Sequence, residues 1–203
     1  PPLAFVNFIQ NHDQIGNRLG GERLTRLAAE PMLKAVTAIL LLAPPPPLLF
    51  MGQEWGCTDP FPFFCDFGED LVQPVRTGRR RELAAMLGGD VESLDTFDPF
   101  ADETFGLARL RWSDRNEPGH AAWLDYHTQL LALRRREIVP RLRRGPVTAD
   151  YLCLGEAVLK AWWRFGDGAY LTLYANLGAE TVSGATGKGQ PLFATPLDRL
   201  QGA

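Results

Sequence analysis

Apolar positions divide the first part of the chain into short strand-like runs and a longer helical repeat. Residues 3–9 form a nearly continuous apolar run, which is typical of a strand covered on both faces. A second such run, residues 48–51, follows a helix predicted from about Pro31 to Leu42, whose apolar positions lie almost all round and indicate burial. Strand, crossover helix and strand form a βαβ unit, so we expect the two strands to be parallel.

The middle of the chain shows two further helical patterns. One covers about residues 79–86, within an otherwise irregular stretch from residue 56 to residue 113. The other covers residues 118–137, where apolar positions recur at helical spacing and give the helix an inward face. The segment between residues 14 and 27 shows no such repeat and is predicted to be a loop.

From Gly145 onward the pattern changes to short β-rich runs. They cover residues 147–154, 158–165 and 170–177, and turns that contain glycine separate them. Turn signals at this spacing indicate an antiparallel β-sandwich. One more strand is expected within residues 192–203.

These patterns predict an α/β region over residues 1–140 and a small β-domain over residues 145–203 of the 203-residue chain. A formal net charge of −3 argues against nucleic-acid binding, which needs a basic face. The longest apolar stretch is too short to span a membrane. The 3 cysteines are an odd number, and their spacing fits neither a zinc framework nor a Cys-x-x-Cys redox pair, so reduced thiols in a cytoplasmic protein are predicted. No feature indicates an oligomeric state.

Arginine triplets occur at residues 79–81 and 134–136. Because acidic residues elsewhere offset them, each triplet is predicted to be a solvated helix face or helix end rather than a phosphate site. The second triplet lies near a predicted helix C-terminus, where positive charge is favourable.

Polar side chains of several chemical kinds crowd together directly after the first apolar run. Such groups at the carboxyl end of a buried parallel strand occupy the place where α/β barrels carry their chemistry. The alternative is that the Asn and Asp side chains only cap the next helix. The candidate residues, which together could grip a hydroxylated ligand, are Asn11, His12, Asp13, Gln14, Asn17 and Arg18.

Residues 10–18 resemble the Asn-His-Asp segment of glycoside hydrolase family 13, the α-amylase superfamily. Residues 47–55, 58–66 and 78–82 resemble later segments of the same family, in the same order and with compatible spacing. An Asn-His-Asp sequence alone is weak evidence, whereas the ordered set is specific. Within the family, the resemblance is strongest to the branch that releases trehalose from maltooligosyl trehalose.

The resemblance implies a fold and an activity. The chain would hold the C-terminal portion of a (β/α)8 barrel, with its last two strands and helices, followed by a small antiparallel β-sandwich. The whole enzyme would cleave the α-1,4 bond next to the terminal trehalose of maltooligosyl trehalose, or act on a related α-glucan, with retention and without a cofactor. Its nucleophile and its acid/base would lie in other segments, so this chain alone is expected to be inactive.

The resemblance also implies roles for individual residues. Asp13 would be the third carboxylate of the site, holding sugar hydroxyls ever more strongly as the ring approaches an oxocarbenium-like state. Asn11 and His12 would bind the same sugar. A metal site is not supported, because the histidines are scattered along the sequence. Three side chains either contact the trehalose end of the substrate or only brace the loop: Gln14, Asn17 and Arg18.

Several interpretations remain open. Glu54 and Trp55 could form a binding wall, or Glu54 could pair with an arginine. The Phe- and Pro-rich residues 60–67 could pack on the barrel or form a sugar-stacking wall. Two other functions also fit: another family 13 enzyme, such as an α-glucosidase, amylase or branching enzyme, or a non-catalytic carbohydrate-binding module formed by residues 145–203.

Overall fold

The computed structural model describes residues 1–88, 97–180, 182 and 189–195. The α-helices of these residues are His12–Gly16 (α1), Leu24–Leu27 (α2), Glu30–Leu42 (α3), Glu69–Leu87 (α4), Asp102–Leu107 (α5), Pro118–Leu133 (α6) and Val139–Leu142 (α7). A π-helical turn, Arg134–Ile138, joins α6 to α7. The strands are Thr148–Cys153 (β1), Val158–Arg164 (β2) and Tyr170–Asn176 (β3).

The chain divides into two compact units. The first unit comprises Pro1–Ile9, Ala29–Leu48 and Tyr126–Ala203, and the second comprises Gln10–Ala28 and Leu49–Asp125. Every side chain of the predicted site therefore belongs to the second unit.

Helix α3 confirms the helix that the sequence predicts from about Pro31 to Leu42. It contains Pro31 in its first turn, where a missing N–H costs nothing, and Glu30 there complements the helix dipole. The helix ends at Leu42 because the prolines that follow Ala43 cannot donate to it. Its buried residues are Leu33, Thr37, Ala38, Leu40 and Leu41.

The β-rich region forms an antiparallel sheet in the order β1-β2-β3, which confirms the three predicted runs. The predicted second layer of a sandwich is not found in the described residues. Side chains from the helical segments, including Ile138 and Leu142, pack instead with Phe165 and with Trp163 and Leu171 of the sheet. Residues 192–195 form no strand, and the rest of the predicted final strand lies outside the described residues.

The prediction of two buried strands at residues 3–9 and 48–51 is wrong as stated. In residues 1–88 the two segments share one parallel bridge, between Asn7 and Pro47. Two hydrogen bonds form it: the Asn7 N–H donates to the Pro46 carbonyl (3.0 Å) and the Leu48 N–H donates to the Asn7 carbonyl (2.8 Å). The apolar side chains of the first run are largely exposed, and a parallel strand is stable only when both faces are covered.

The helical predictions in the middle of the chain differ from the structure in their bounds. The predicted loop over residues 14–27 contains α2 and most of α1, and the helix predicted at 79–86 extends over the whole of α4. The helix predicted at 118–137 is α6 followed by the π-helical turn. None of the helices in the described residues has the length and apolar character of a membrane span.

Candidate functional site

Helix α1 begins at Asn11 through a capping box. The Asn11 side-chain oxygen accepts hydrogen bonds from the backbone N–H groups of Asp13 (2.7 Å) and Gln14 (3.4 Å). In return, Gln14 Oε1 accepts from the Asn11 N–H (3.0 Å). Reciprocal bonds of this kind satisfy donors that a helix start otherwise leaves unpaired. The capping alternative is therefore correct for Asn11, and these bonds use the oxygen of each side-chain amide rather than its nitrogen.

His12 and Asp13 occupy the first turn of α1 and face solvent. Their side chains are 68% and 65% exposed, and His12 Nε2 lies 3.4 Å from Asp13 Oδ1. The carboxylate accepts hydrogen bonds and the imidazole can donate one, so together they offer complementary groups to neighbouring sugar hydroxyls. Ile15 and Gly16 are the buried residues of the helix, and the Ile15 side chain anchors it on the side away from solvent.

The other end of α1 is held by Arg79, from helix α4. Arg79 Nη1 donates to the Asn17 side-chain oxygen at 2.8 Å, and Nη2 donates to the Gly16 carbonyl. The guanidinium also lies over the Phe63 ring, with 5.4 Å from its carbon to the ring centroid. Asn17 therefore serves as an acceptor that ties the end of α1 to α4.

Arg18 and the residues after it form a loop that is tied to the segment 51–61. Arg18 Nη1 donates to the Glu22 carbonyl (2.8 Å), which braces the loop from within. The Phe61 N–H donates to the Gly21 carbonyl (2.8 Å). Gly21 has a φ of +64°, and a Cβ there would lie 2.4 Å from the backbone nitrogen of Pro62. The close approach of these two backbones therefore requires glycine at this position.

Arg23 also anchors this loop, through backbone carbonyls of the segment 51–61. It is fully buried, and it donates through Nε to the Asp59 carbonyl (2.6 Å) and through Nη1 to the Met51 carbonyl (2.8 Å). Burial lowers the pKa of the Arg23 guanidinium, and the nearby acidic groups, Cys57 foremost and then Asp59, oppose that shift.

The Asp59 carboxylate is paired with Arg111 on the surface. Arg111 donates through Nη2 (2.6 Å) and Nε (3.2 Å) to the two carboxylate oxygens. Partial burial favours the neutral acid, but the hydrogen bonds and charge of Arg111 outweigh it and hold the pKa of Asp59 below its usual value. This bidentate pair fixes the segment that receives Arg23.

The aromatic residues after Gly56 mostly pack against one another. Phe61 forms edge-to-face contacts with Phe50 (5.0 Å between centroids) and Phe64 (5.6 Å), which supports the packing interpretation of residues 60–67. Trp55 is 2% exposed and lies against Trp112, so it does not form a binding wall. Phe63 and Phe67 remain partly exposed.

Arg79 is not among the site residues that the sequence predicts, because the whole triplet 79–81 is predicted to be a solvated helix face or helix end. Arg79 is 8% exposed, whereas Arg80 and Arg81 face solvent. The second triplet repeats this pattern, since Arg134 is 7% exposed and its two neighbours face solvent. The available signal was geometric: successive residues of a helix point in different directions, so a triplet on a packed helix places one member inward.

Among the described residues, no cluster of three or more His, Cys, Asp or Glu side chains could hold a metal ion. The groups that α1 presents to solvent are the Asp13 carboxylate and the His12 imidazole. Both ends of this short helix are capped.

Comparison with known proteins gives three findings. A domain of unknown function, DUF3459, matches residues 146–202. A malto-oligosyltrehalose trehalohydrolase of Deinococcus radiodurans is 40% identical over 178 residues, which are 87% of this chain and 29% of that protein. The crystal structure of a proposed α-amylase from Salmonella typhimurium is 43% identical, with a TM-score of 0.84 over 97% of this chain and 33% of that one.

A second relative agrees with the first. The malto-oligosyltrehalose trehalohydrolase of Arthrobacter ramosus is 41% identical over 136 residues, which are 66% of this chain and 23% of that protein. The chain thus spans less than a third of the length of these curated relatives. It is homologous to the C-terminal region of the malto-oligosyltrehalose trehalohydrolases, members of the α-amylase superfamily, glycoside hydrolase family 13.

Proposed function

We propose that the chain is part of a retaining glycoside hydrolase that cleaves the α-1,4 bond next to the terminal trehalose of maltooligosyl trehalose and releases trehalose. The observation that carries this proposal is the 40% identity to a malto-oligosyltrehalose trehalohydrolase over 87% of the chain. The nucleophile and the acid/base would come from the part of the full-length protein that corresponds to the remaining length of the relatives. The chain alone is expected to be inactive.

Asp13 is proposed as the third carboxylate of the active site. Its exposure on the first turn of α1, beside His12, supports a role in contact with substrate. A carboxylate that accepts hydrogen bonds from two sugar hydroxyls orients the ring, and its attraction grows as positive charge develops at the anomeric carbon. His12 would donate to a neighbouring hydroxyl of the same sugar.

The remaining residues of the segment are proposed to bind at the trehalose end or to support the loop. The side-chain oxygens of Asn11 and Gln14 each accept from the backbone N–H of the other residue, which leaves the amide nitrogens of these side chains as the groups to donate to substrate. Asn17 and Arg18 are engaged with protein acceptors or donors, which favours a supporting role for both.

Residues 1–140 are proposed to complete the (β/α)8 barrel of the full-length protein, and residues 145–203 to form its small C-terminal domain. The parallel bridge between Asn7 and Pro47 on either side of α3 supports the βαβ order. Exposed Phe5 and Val6 are apolar side chains that a neighbouring strand would cover. The cytoplasmic location stays a prediction from the sequence.

The test uses the full-length enzyme and the variant Asp13→Asn, which keeps the shape of the side chain and removes its charge. We expect turnover of maltooligosyl trehalose to fall by about 10²-fold or more, with an unchanged circular dichroism spectrum. Asp102→Asn is the matched control, since Asp102 is an exposed carboxylate in the first turn of another short helix, α5. Turnover of Asp13→Asn within a few fold of wild type would contradict the assignment.

A second candidate is another family 13 enzyme, such as an α-amylase, because the matching crystal structure is of a proposed α-amylase. The two candidates differ in substrate. Faster cleavage of maltooligosaccharides that lack the trehalose end would favour the amylase, and trehalose as the main product would favour the trehalohydrolase.

A further inference from the structure

Helix α1 is too short to be stable by itself. It contains 5 residues, whereas isolated helices of fewer than about 12 residues are marginal in water. Ile15 is its anchor in the core, and the capping box orders its first turn. The orientation of Asp13 therefore depends on what holds the opposite end, where the carbonyl groups have no partner within the helix.

Arg79 satisfies that end with two different bonds. Its Nη2 donates to the Gly16 carbonyl, the last of α1, and its Nη1 donates to the side-chain oxygen of Asn17, the residue that ends the helix. A cation at a helix C-terminus also complements the helix dipole. Two parallel donors fix both the position and the rotation of the helix end, which a single bond would not.

The surroundings of Arg79 keep its guanidinium in one orientation. The Phe63 ring lies against one face of the group, and the Glu82 carboxylate, one turn along α4, is 3.7 Å from Nη1. Burial lowers the pKa of Arg79 and Glu82 opposes this shift, and an arginine remains charged in any case. Lysine could not replace it, because a single ammonium group lacks the planar fork that reaches both acceptors and stacks on a ring.

We propose that Arg79 is a positioning residue for the Asn-His-Asp helix: by capping its C-terminus through Gly16 and Asn17, it holds Asp13 and His12 in the orientation that substrate requires. The proposal rests on the proposed function for its catalytic consequence, and on the described contacts for its structural one. It also explains why one arginine of the Gly-Arg-Arg-Arg-Glu segment, residues 78–82, faces inward.

The experiment compares three variants of the full-length enzyme: Arg79→Lys, Arg80→Lys and Arg134→Lys. Arg80 is the exposed neighbour of Arg79, and Arg134 is another buried arginine, which belongs to the first unit. We expect Arg79→Lys to lower kcat about tenfold to a hundredfold, because small displacements of a positioned group are costly. Arg80→Lys should leave kcat unchanged, and Arg134→Lys should lower the melting temperature with kcat retained.

A second readout does not depend on activity. Hydrogen exchange of the Asn17 and Arg18 amides, which bond to the Asp13 and Ile15 carbonyls, should accelerate about tenfold or more in Arg79→Lys and stay unchanged in Arg80→Lys. If Arg79→Lys fails to fold, Asn17→Ala removes one acceptor only and should cause smaller changes of the same kind. Unchanged exchange in a folded variant would overturn the proposal.

The outcomes separate this proposal from the proposed function. A normal kcat in Arg79→Lys, together with a large loss in Asp13→Asn, would overturn the positioning role alone. A normal kcat in Asp13→Asn would overturn the assignment of Asp13 and with it the catalytic consequence of the Arg79 contacts. Additive effects of Arg79→Lys and Asn17→Ala on kcat would also count against the proposal, because residues that act through one contact are not additive.

Discussion

In the part of the chain that the structure describes, a buried arginine from a distant part of the sequence closes one helix end in each compact unit. In the first unit, Arg134 caps the end of α3: it donates to the carbonyls of Leu41, Ala43, Pro44 and Pro45. In the second unit, Arg79 caps the end of α1. The chemistry is the same, because in both places a guanidinium supplies donors to carbonyl groups that a helix cannot satisfy itself.

The two capped helices differ in what else supports them. Helix α3 has 13 residues and an extensive buried face, and in the described part of the chain no side chain caps its N-terminus. Helix α1 has 5 residues and needs a capping box as well. Loss of the arginine should therefore weaken the whole first unit in one case and loosen a single turn, next to the candidate site, in the other. Helix α3 is thus supported mainly by the packing of its buried face, whereas α1, which carries the candidate site, is supported mainly by side-chain hydrogen bonds.

The largest effect is expected at the end of α3, in the variant Arg134→Met. Methionine fills part of the space but leaves the carbonyls around Pro44 without donors. The prolines cannot rearrange to satisfy them, and each unsatisfied buried carbonyl is costly. We expect the free energy of unfolding to fall by about 3 kcal/mol, measured by urea denaturation of the full-length protein.

Arg135→Met provides the control for this prediction. Arg135 is the exposed neighbour in the same triplet, and surface substitutions of this kind change stability by less than about 0.5 kcal/mol. Equal losses in the two variants would mean that the carbonyl cap is not what stabilises this end of α3.

A smaller and more local effect is expected from Asn11→Ala. The substitution removes the acceptor for the Asp13 and Gln14 amides, and loss of such a cap costs about 1 kcal/mol. Exchange of these two amides should accelerate about fivefold, while the amides of α3 should be unchanged. An equal loss of protection from amide exchange in α1 and α3 would mean that the two helices are not supported in different ways.

The sequence predicted the parts of the fold whose signals are local. The strands β1, β2 and β3 follow from alternating residues and from glycine turns close to them, and α3 follows from a continuous apolar repeat ended by prolines. In each case the partner that satisfies the backbone is the element itself or its neighbour in sequence. Patterns over ten to twenty residues carry that information.

The support of the candidate site could not be predicted in the same way. The Asn11 cap is local, and the sequence predicts it as one of two alternatives. The donor to Gly16 comes from Arg79, 63 positions further along the sequence, and Arg23 reaches carbonyls of a distant loop. Backbone acceptors carry no sequence signature, so an arginine that caps a distant helix looks like a solvated one. Likewise, the segment 3–9 has the composition of a strand, but its Phe5, Val6 and Phe8 side chains are exposed.

The smallest effect on stability is expected at Asp167, a titratable carboxylate that accepts hydrogen bonds from two arginines. In the turn between β2 and β3, Asp167 accepts hydrogen bonds from the Ala169 N–H (3.1 Å), Arg141 (2.9 Å) and Arg144 (3.2 Å). The bond from Ala169 and then the two arginines hold the pKa of Asp167 below its ordinary 3.8. The folded protein thus binds this proton less readily than the unfolded chain, so the stabilisation is present above that value and is lost as the pH falls below it.

Asp167→Asn keeps an acceptor for Ala169 and removes the charge. We expect its melting temperature to lie slightly below that of wild type at pH 7, and the difference to shrink as the pH is lowered to about 3. The difference in melting temperature between Arg134→Met and wild type should stay constant over the same pH range, because neither the arginine nor its carbonyl acceptors titrate there. A melting-temperature difference of Asp167→Asn that did not change with pH would mean that the charge of Asp167 does not stabilise this turn.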